Sequence, residues 1–168
     1  MPLVFRYIIQ FIVLVLFQIL VLNHMQFLGY INIYLYILFI ISLPLRTPRW
    51  LILLLGFLLG MVIDIPSNTL GVHMFATVLI AFLRTPLINL FTSVEDAGNL
   101  VPSVHSFGLA GYLKYVGAMV LIHHFALFYM EAFSFTHFWI VFLRALLSAV
   151  CTFIVIVALQ LFNTRKTV

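Results

Sequence analysis

The stretch GFLLGMVIDIPSNTLGVHMFA, Gly56 to Ala76, decides how the chain is read. It is apolar up to Asp64, breaks at Pro66-Ser67-Asn68-Thr69, and resumes as an apolar run from Leu70. Gly56, Gly60 and Asp64 stand four residues apart, so on a helix they share one face. Two glycines at that spacing let a neighbouring backbone approach closely. The row ends in an acid beside the start of the next helix, where Asn68 or Thr69 is placed to cap and the helix dipole favours negative charge. Pro66 sharpens the turn and Gly71 leaves space at the next helix start. Asp64 thus reads as the lock of an architectural hinge; the functional alternative is an ion or substrate site, which acids inside a membrane often mark.

Working outward, the rest of the chain is as apolar as this stretch. Of 168 residues, 65% are hydrophobic and only 7% charged, with a mean hydropathy of +1.27. A soluble domain could not cover its surface with so little polar material, so the composition predicts an integral membrane protein. No alternating ten-residue pattern of a membrane barrel is present, which makes the spans helical. The formal charge of +4 comes from basic residues at span ends, so topology explains it and nucleic acid is not an expected partner. Cys151 has no cysteine to pair with and reads as a small apolar residue. The run from Tyr7 to Leu22 is too long for a secretory signal and lacks a small-residue cleavage site, so it is expected to stay as the first span.

Six spans fit, roughly Arg6–Leu22, Leu28–Leu43, Trp50–Ile65, Leu70–Phe91, Leu113–Met130 and His137–Phe162, forming one transmembrane domain over residues 1–168. With the N-terminus in the cytoplasm, Arg6, Arg46, Arg49, Arg84, Lys114, Arg165 and Lys166 fall on the cytoplasmic side. The three opposite connections carry no lysine or arginine, and hold Asp64 and Glu131 instead. The positive-inside rule therefore puts both termini in the cytoplasm.

Arg144 is the exception. Seven residues into the sixth span, it lies about 10 Å below the outer interface, while Asp64 lies about 9 Å below it. Either charge alone costs about 2.5–3.5 kcal/mol on insertion scales, and pairing lowers that cost. The matched depths predict an Asp64–Arg144 contact; the other reading has both reach toward the outer interface, Asp64 capping the fourth span. Ser148, Cys151 and Thr152 continue the Arg144 face, which should look into the bundle, and Gln10 and Gln18 of the first span are expected to join it or meet a partner helix.

Catalytic signatures are absent from the sequence: there is no phosphate-binding glycine loop, no nucleophile elbow and no Cys/His arrangement. His24, His73 and His137 read as interfacial, and the adjacent His123 and His124 point in different directions on a helix, unlike zinc or di-iron ligands. No cofactor or metal is expected. The connection from Thr92 to Tyr112, with Glu95, Asp96 and Asn99, is long enough to be a partner-binding loop or a simple connector.

The row Gly56, Gly60, Asp64 and Gly71, with Pro44 and Pro48 before it, resembles the characteristic segment of the rod shape-determining protein MreD family. The motif covers about residues 44–84; span number, size and orientation extend the likeness over the chain, while the last third, including Arg144, carries no matching signature. The resemblance implies a non-enzymatic, multi-pass subunit of the bacterial cell-elongation complex in the inner membrane. It implies binding to MreC through that protein's span and coiled coil, association with RodA and its transpeptidase partner, an indirect link to MreB, and a second copy of itself as a further neighbour. The family's bundle is similar to the substrate-binding subunits of energy-coupling-factor vitamin transporters, which supplies the alternative: a small-molecule-binding subunit. That alternative needs a polar, aromatic-lined cavity near the outer face, for which the sequence offers Asn68, His73, His137 and Arg144.

Overall fold

The computed structural model describes residues 3–25, 29–69, 71–92, 101–133 and 137–164. Its long helices are α1 (Leu3–Leu20), α3 (Arg49–Ser67), α4 (Val72–Phe91), α5 (Val104–Ala132) and α6 (Phe138–Thr164), with a four-residue α2 (Leu38–Ile41) between the first two. The five long helices are each long and apolar enough to cross a membrane, as expected of a multi-pass helical bundle. Exposed Ile8, Ile12, Leu16 and Leu20 make an outer stripe on α1, while Gln18 and Val15 of the same helix are buried.

The second expected span is where the structure departs most from the sequence. Instead of one helix over Leu28–Leu43, the chain is irregular through Asn32–Tyr34, makes a single 3-10 turn at Leu35–Ile37, and continues into α2. It nevertheless travels along α1: Ile33 O meets Gln18 near one end, and Ser42 meets Gln10 and Tyr7 near the other. Gln18 and Gln10 are separated by about 12 Å on a helix. Non-helical backbone survives at membrane depth only when protein surrounds it and satisfies its polar groups. Both conditions are met. Tyr36, Ile37, Ile40 and Ile41 are completely buried, and side chains from four long helices serve the backbone.

Those side chains include most of the polar residues picked out from sequence. Gln18 accepts from Leu35 N at 2.9 Å and donates to Ile33 O at 3.1 Å. Ser148 Oγ accepts from Asn32 N at 3.1 Å, and Thr152 Oγ1 from Tyr34 N at 3.2 Å. Gln10 donates to Ser42 Oγ at 2.7 Å. Tyr115 donates to Ile41 O at 3.1 Å. Arg84, 1% exposed, donates to Leu43 O and Pro44 O just beyond α2. Arg84 is therefore more than a charge at the end of a span: it terminates the buried crossing.

Helices α3 and α4 form the tightest seam, because Gly56 and Gly60 lie on it. A Cβ at Gly60 would collide with the backbone of Met74, and one at Gly56 would come 3.0 Å from Ala81 Cβ. Thr77 Oγ1 lies 2.8 Å from Gly56 O and 2.8 Å from His73 O, tying the two helices at the level the glycines open.

The connection expected over Thr92–Tyr112 is partly helix. Ser103 and Ser106 form a reciprocal capping box that starts α5 at Val104, and Gly108, with φ of 68°, kinks it. Gly111 passes close to the end of α4, where an added Cβ would lie 3.0 Å from Phe91 O. Glu95, Asp96 and Asn99, like Arg165 and Lys166, lie outside the described residues.

Candidate functional site

Asp64 is 7% exposed at the turn between α3 and α4. Its Oδ1 accepts from Thr69 Oγ1 at 2.5 Å and from His73 N at 3.0 Å, and its Oδ2 accepts from Met74 N at 2.9 Å. His73 and Met74 are in the first turn of α4, whose amides lack intrahelical partners. The carboxylate of one helix thus caps the next, where the dipole favours it. Neither Asn68 nor Thr69 does the capping: Asn68 takes the left-handed conformation that ends α3, with φ of 54°, and Thr69 donates to the acid. Gly71, at φ of 84°, is the left-handed residue that turns the chain into α4.

The expected Asp64–Arg144 contact is not formed. Arg144 Nη1 faces Glu131 Oε2 at 3.9 Å, and its guanidinium lies 4.8 Å from the centre of the Phe128 ring. Depth matching chose the wrong acid because the free amides of α4 already satisfy Asp64, whereas Glu131 sits at the end of α5, the helix packed beside α6.

Between these elements lies a partly open chamber of about 540 Å³. Asn23 and His24 follow α1, Asn32 and Tyr34 come from the irregular crossing, Ser67, Thr69 and His73 from the Asp64 turn, and Glu131 and Arg144 from α5 and α6. The volume is that of a small-molecule site. Asp64 itself is absent from the lining; it holds Thr69 and His73 in the wall from behind. Asn23 links two sides of the rim, accepting from Gln18 at 2.9 Å and donating to Ser67 Oγ at 3.0 Å.

Beneath the chamber is an aromatic and imidazole layer. Tyr34 packs edge-on against His73 at 5.4 Å between centroids, with His124 at 5.4 Å and Phe128 at 6.1 Å on its other sides. The Tyr36 hydroxyl bridges His73 Nδ1 at 2.7 Å and His123 Nε2 at 2.9 Å. It has one proton to give, so one of these nitrogens must donate and the other accept. His123 Nδ1 is buried without a partner among the described residues. An orphaned N–H is rarer than an orphaned acceptor, which favours the proton on His123 Nε2. Tyr36 then donates to His73 Nδ1, and the second proton of the pair sits on His73 Nε2. His124 turns away, to Thr152 Oγ1 at 3.0 Å and Val120 O at 2.8 Å. No three His, Cys, Asp or Glu side chains converge as metal ligands among the described residues.

Of the residues singled out from sequence, the structure brings Gly56, Gly60, Asp64 and Gly71 into the α3–α4 seam and turn, and Arg144 into the chamber wall. Gln10, Gln18, Ser148 and Thr152 gather on the irregular crossing. Asn23, Asn32, Tyr34 and Tyr36 were missed, as was the meeting of His73 with His123 through the Tyr36 hydroxyl. For Asn32, Tyr34 and Tyr36 the sequence signal was the repeated tyrosine and asparagine of YINIYLY, Tyr30 to Tyr36, which a span of lipid-facing helix does not need. No family model matches this chain, and neither does any curated protein or solved structure.

Proposed function

We propose that the chain is an MreD-like, non-enzymatic scaffold of the bacterial cell-elongation complex, a multi-pass protein of the inner membrane with both termini in the cytoplasm. The observation that carries this reading is the α3–α4 seam: the residues bearing the resemblance, Gly56, Gly60, Asp64 and Gly71, form one rigid unit of close backbone contact and a locked turn. A rigid bundle with long apolar outer faces suits an adaptor that fixes the geometry of partner spans. Its partners are MreC first, then RodA and its transpeptidase, with MreB reached indirectly. The test is copurification: Gly60→Leu should lose MreC and rod shape. A Gly60→Leu protein that keeps both would overturn the role of this seam.

The chamber favours a second reading, a small-molecule-binding subunit of the kind found in vitamin transporters. It has more polar and aromatic lining than the four residues expected from sequence, with Tyr34, Asn23, Asn32 and Thr69 joining His73 and Arg144. A ligand that raises the Tm of the purified protein, and no effect of the chain on cell shape, would decide for this reading over the scaffold.

A further inference from the structure

We infer that Arg144 is the receptor for an oxyanion, a carboxylate or phosphate group, entering the chamber. A guanidinium presents five N–H donors in a fixed fork. Among the described residues none of these donors has a hydrogen-bonded acceptor: Glu131 Oε2, at 3.9 Å, is beyond hydrogen-bond distance. Nε is also shut off from solvent without a partner. The fork is held in place all the same, because its central carbon lies over the Phe128 ring and Phe128 is buried at 2% exposure. A positioned guanidinium with unused donors matches a planar pair of oxygens better than it matches water or a single hydroxyl.

The surroundings refine the ligand. In the same lining, Tyr34, Asn32 and His73 offer polar and aromatic surface, suited to an uncharged body that carries the oxyanion at one end. Glu131 is 42% exposed on its side chain, so it can swing toward solvent as the anion replaces it. Until then it competes for the fork and holds the affinity down. The oxyanion has two possible sources, a soluble metabolite or a lipid headgroup phosphate entering from the membrane. The inference rests on reading the chamber as a ligand site, and the two fail separately.

The experiment follows the Arg144 Nε–H signal by 15N NMR, using protein purified in a maltoside detergent, which contains no phosphate. Inorganic phosphate and succinate are titrated at constant ionic strength, and a parallel sample is transferred to phosphatidylglycerol nanodiscs. A saturable shift with either soluble anion is the expected result, at least tenfold weaker by thermal shift in Arg144→Lys, which keeps the charge and loses the fork. Glu131→Gln should bind the anion at least threefold more tightly; unchanged affinity would place the anion away from Arg144 and sink the inference. A shift only in the nanodiscs keeps the oxyanion receptor and removes the small-molecule subunit reading. If uridine raises the Tm of wild type and Arg144→Lys alike while neither anion nor lipid moves the Arg144 signal, the chamber is a ligand site without an oxyanion receptor. If no probe has any effect, both ideas fall.

Discussion

The hydroxyl of Thr77 on α4 lies 2.8 Å from the carbonyl oxygen of Gly56 on α3. That distance is possible only because the α3 face carries no side chains at Gly56 and Gly60. Close approach and the interhelical bond are therefore one feature. Adding a methyl group at Gly60 drives it into the Met74 backbone, which cannot rotate away, whereas at Gly56 it meets Ala81 Cβ and Thr77 O at 3.0 and 3.1 Å.

Gly60→Ala should accordingly destabilise the protein by about 1–3 kcal/mol, the usual cost of overpacking. Gly56→Ala should cost clearly less. Thermal unfolding in detergent, followed by circular dichroism, checks the order; equal losses at the two positions would contradict the seam geometry.

Asp64→Ala leaves the His73 and Met74 amides without their acceptor, at about 1–3 kcal/mol for buried donors left unmade. Asp64→Asn keeps one oxygen and should fall between Ala and wild type. Hydrogen exchange of the first turn of α4 is the sensitive readout, because a loss of the cap frays that turn before the rest of the bundle responds. If the exchange of residues 72–75 is the same in Asp64→Ala and wild type, the capping role is wrong.

Gln18→Leu removes both hydrogen bonds to the crossing, at Ile33 O and Leu35 N. Thr152→Val removes the acceptor for Tyr34 N. Each should speed amide exchange across residues 32–36 by about tenfold or more, since an unmade buried bond costs about 1–3 kcal/mol. The effect should stay local to the crossing, and exchange–mass spectrometry of that peptide measures it.

Arg84→Met deprives the Leu43 and Pro44 carbonyls of their donor. The connection to α3 should loosen, and trypsin should cut faster at Arg46 and Arg49. Arg84→Gln retains an N–H donor and should be cut more slowly than Arg84→Met.

How much of this could be read from the residues alone varies along the chain for physical reasons. Apolar length sets five of the membrane-spanning helices, because a long run of apolar side chains has few other stable settings. The glycine–aspartate row is legible for a similar reason: its four-residue spacing is a property of the helix itself. Leu28–Leu43 misleads because composition reports that a segment is buried and cannot report what buries it. Its polar backbone is satisfied by Gln18, Ser148, Thr152 and Arg84, residues distant in sequence. Arg144 misleads in the opposite way. Depth leaves the angle around the helix axis free, and that angle selects Glu131 over Asp64. His73 and His123 meet through Tyr36, a third residue on yet another segment, so no spacing on one helix could reveal them.

The irregular crossing also bears on how the protein is made. Its Asn32 and Tyr34 amides bond to side chains 116 and 118 residues further along, so they have no partners when this part of the chain leaves the ribosome. Exposed to lipid, those groups are too costly to leave unbonded. The segment must therefore wait in a hydrated or shielded place, or in a different conformation, until α6 is inserted. Maturation of the bundle is then governed by α6, and a chain truncated before Ser148 should be recognised by membrane quality control even though its first helices are intact.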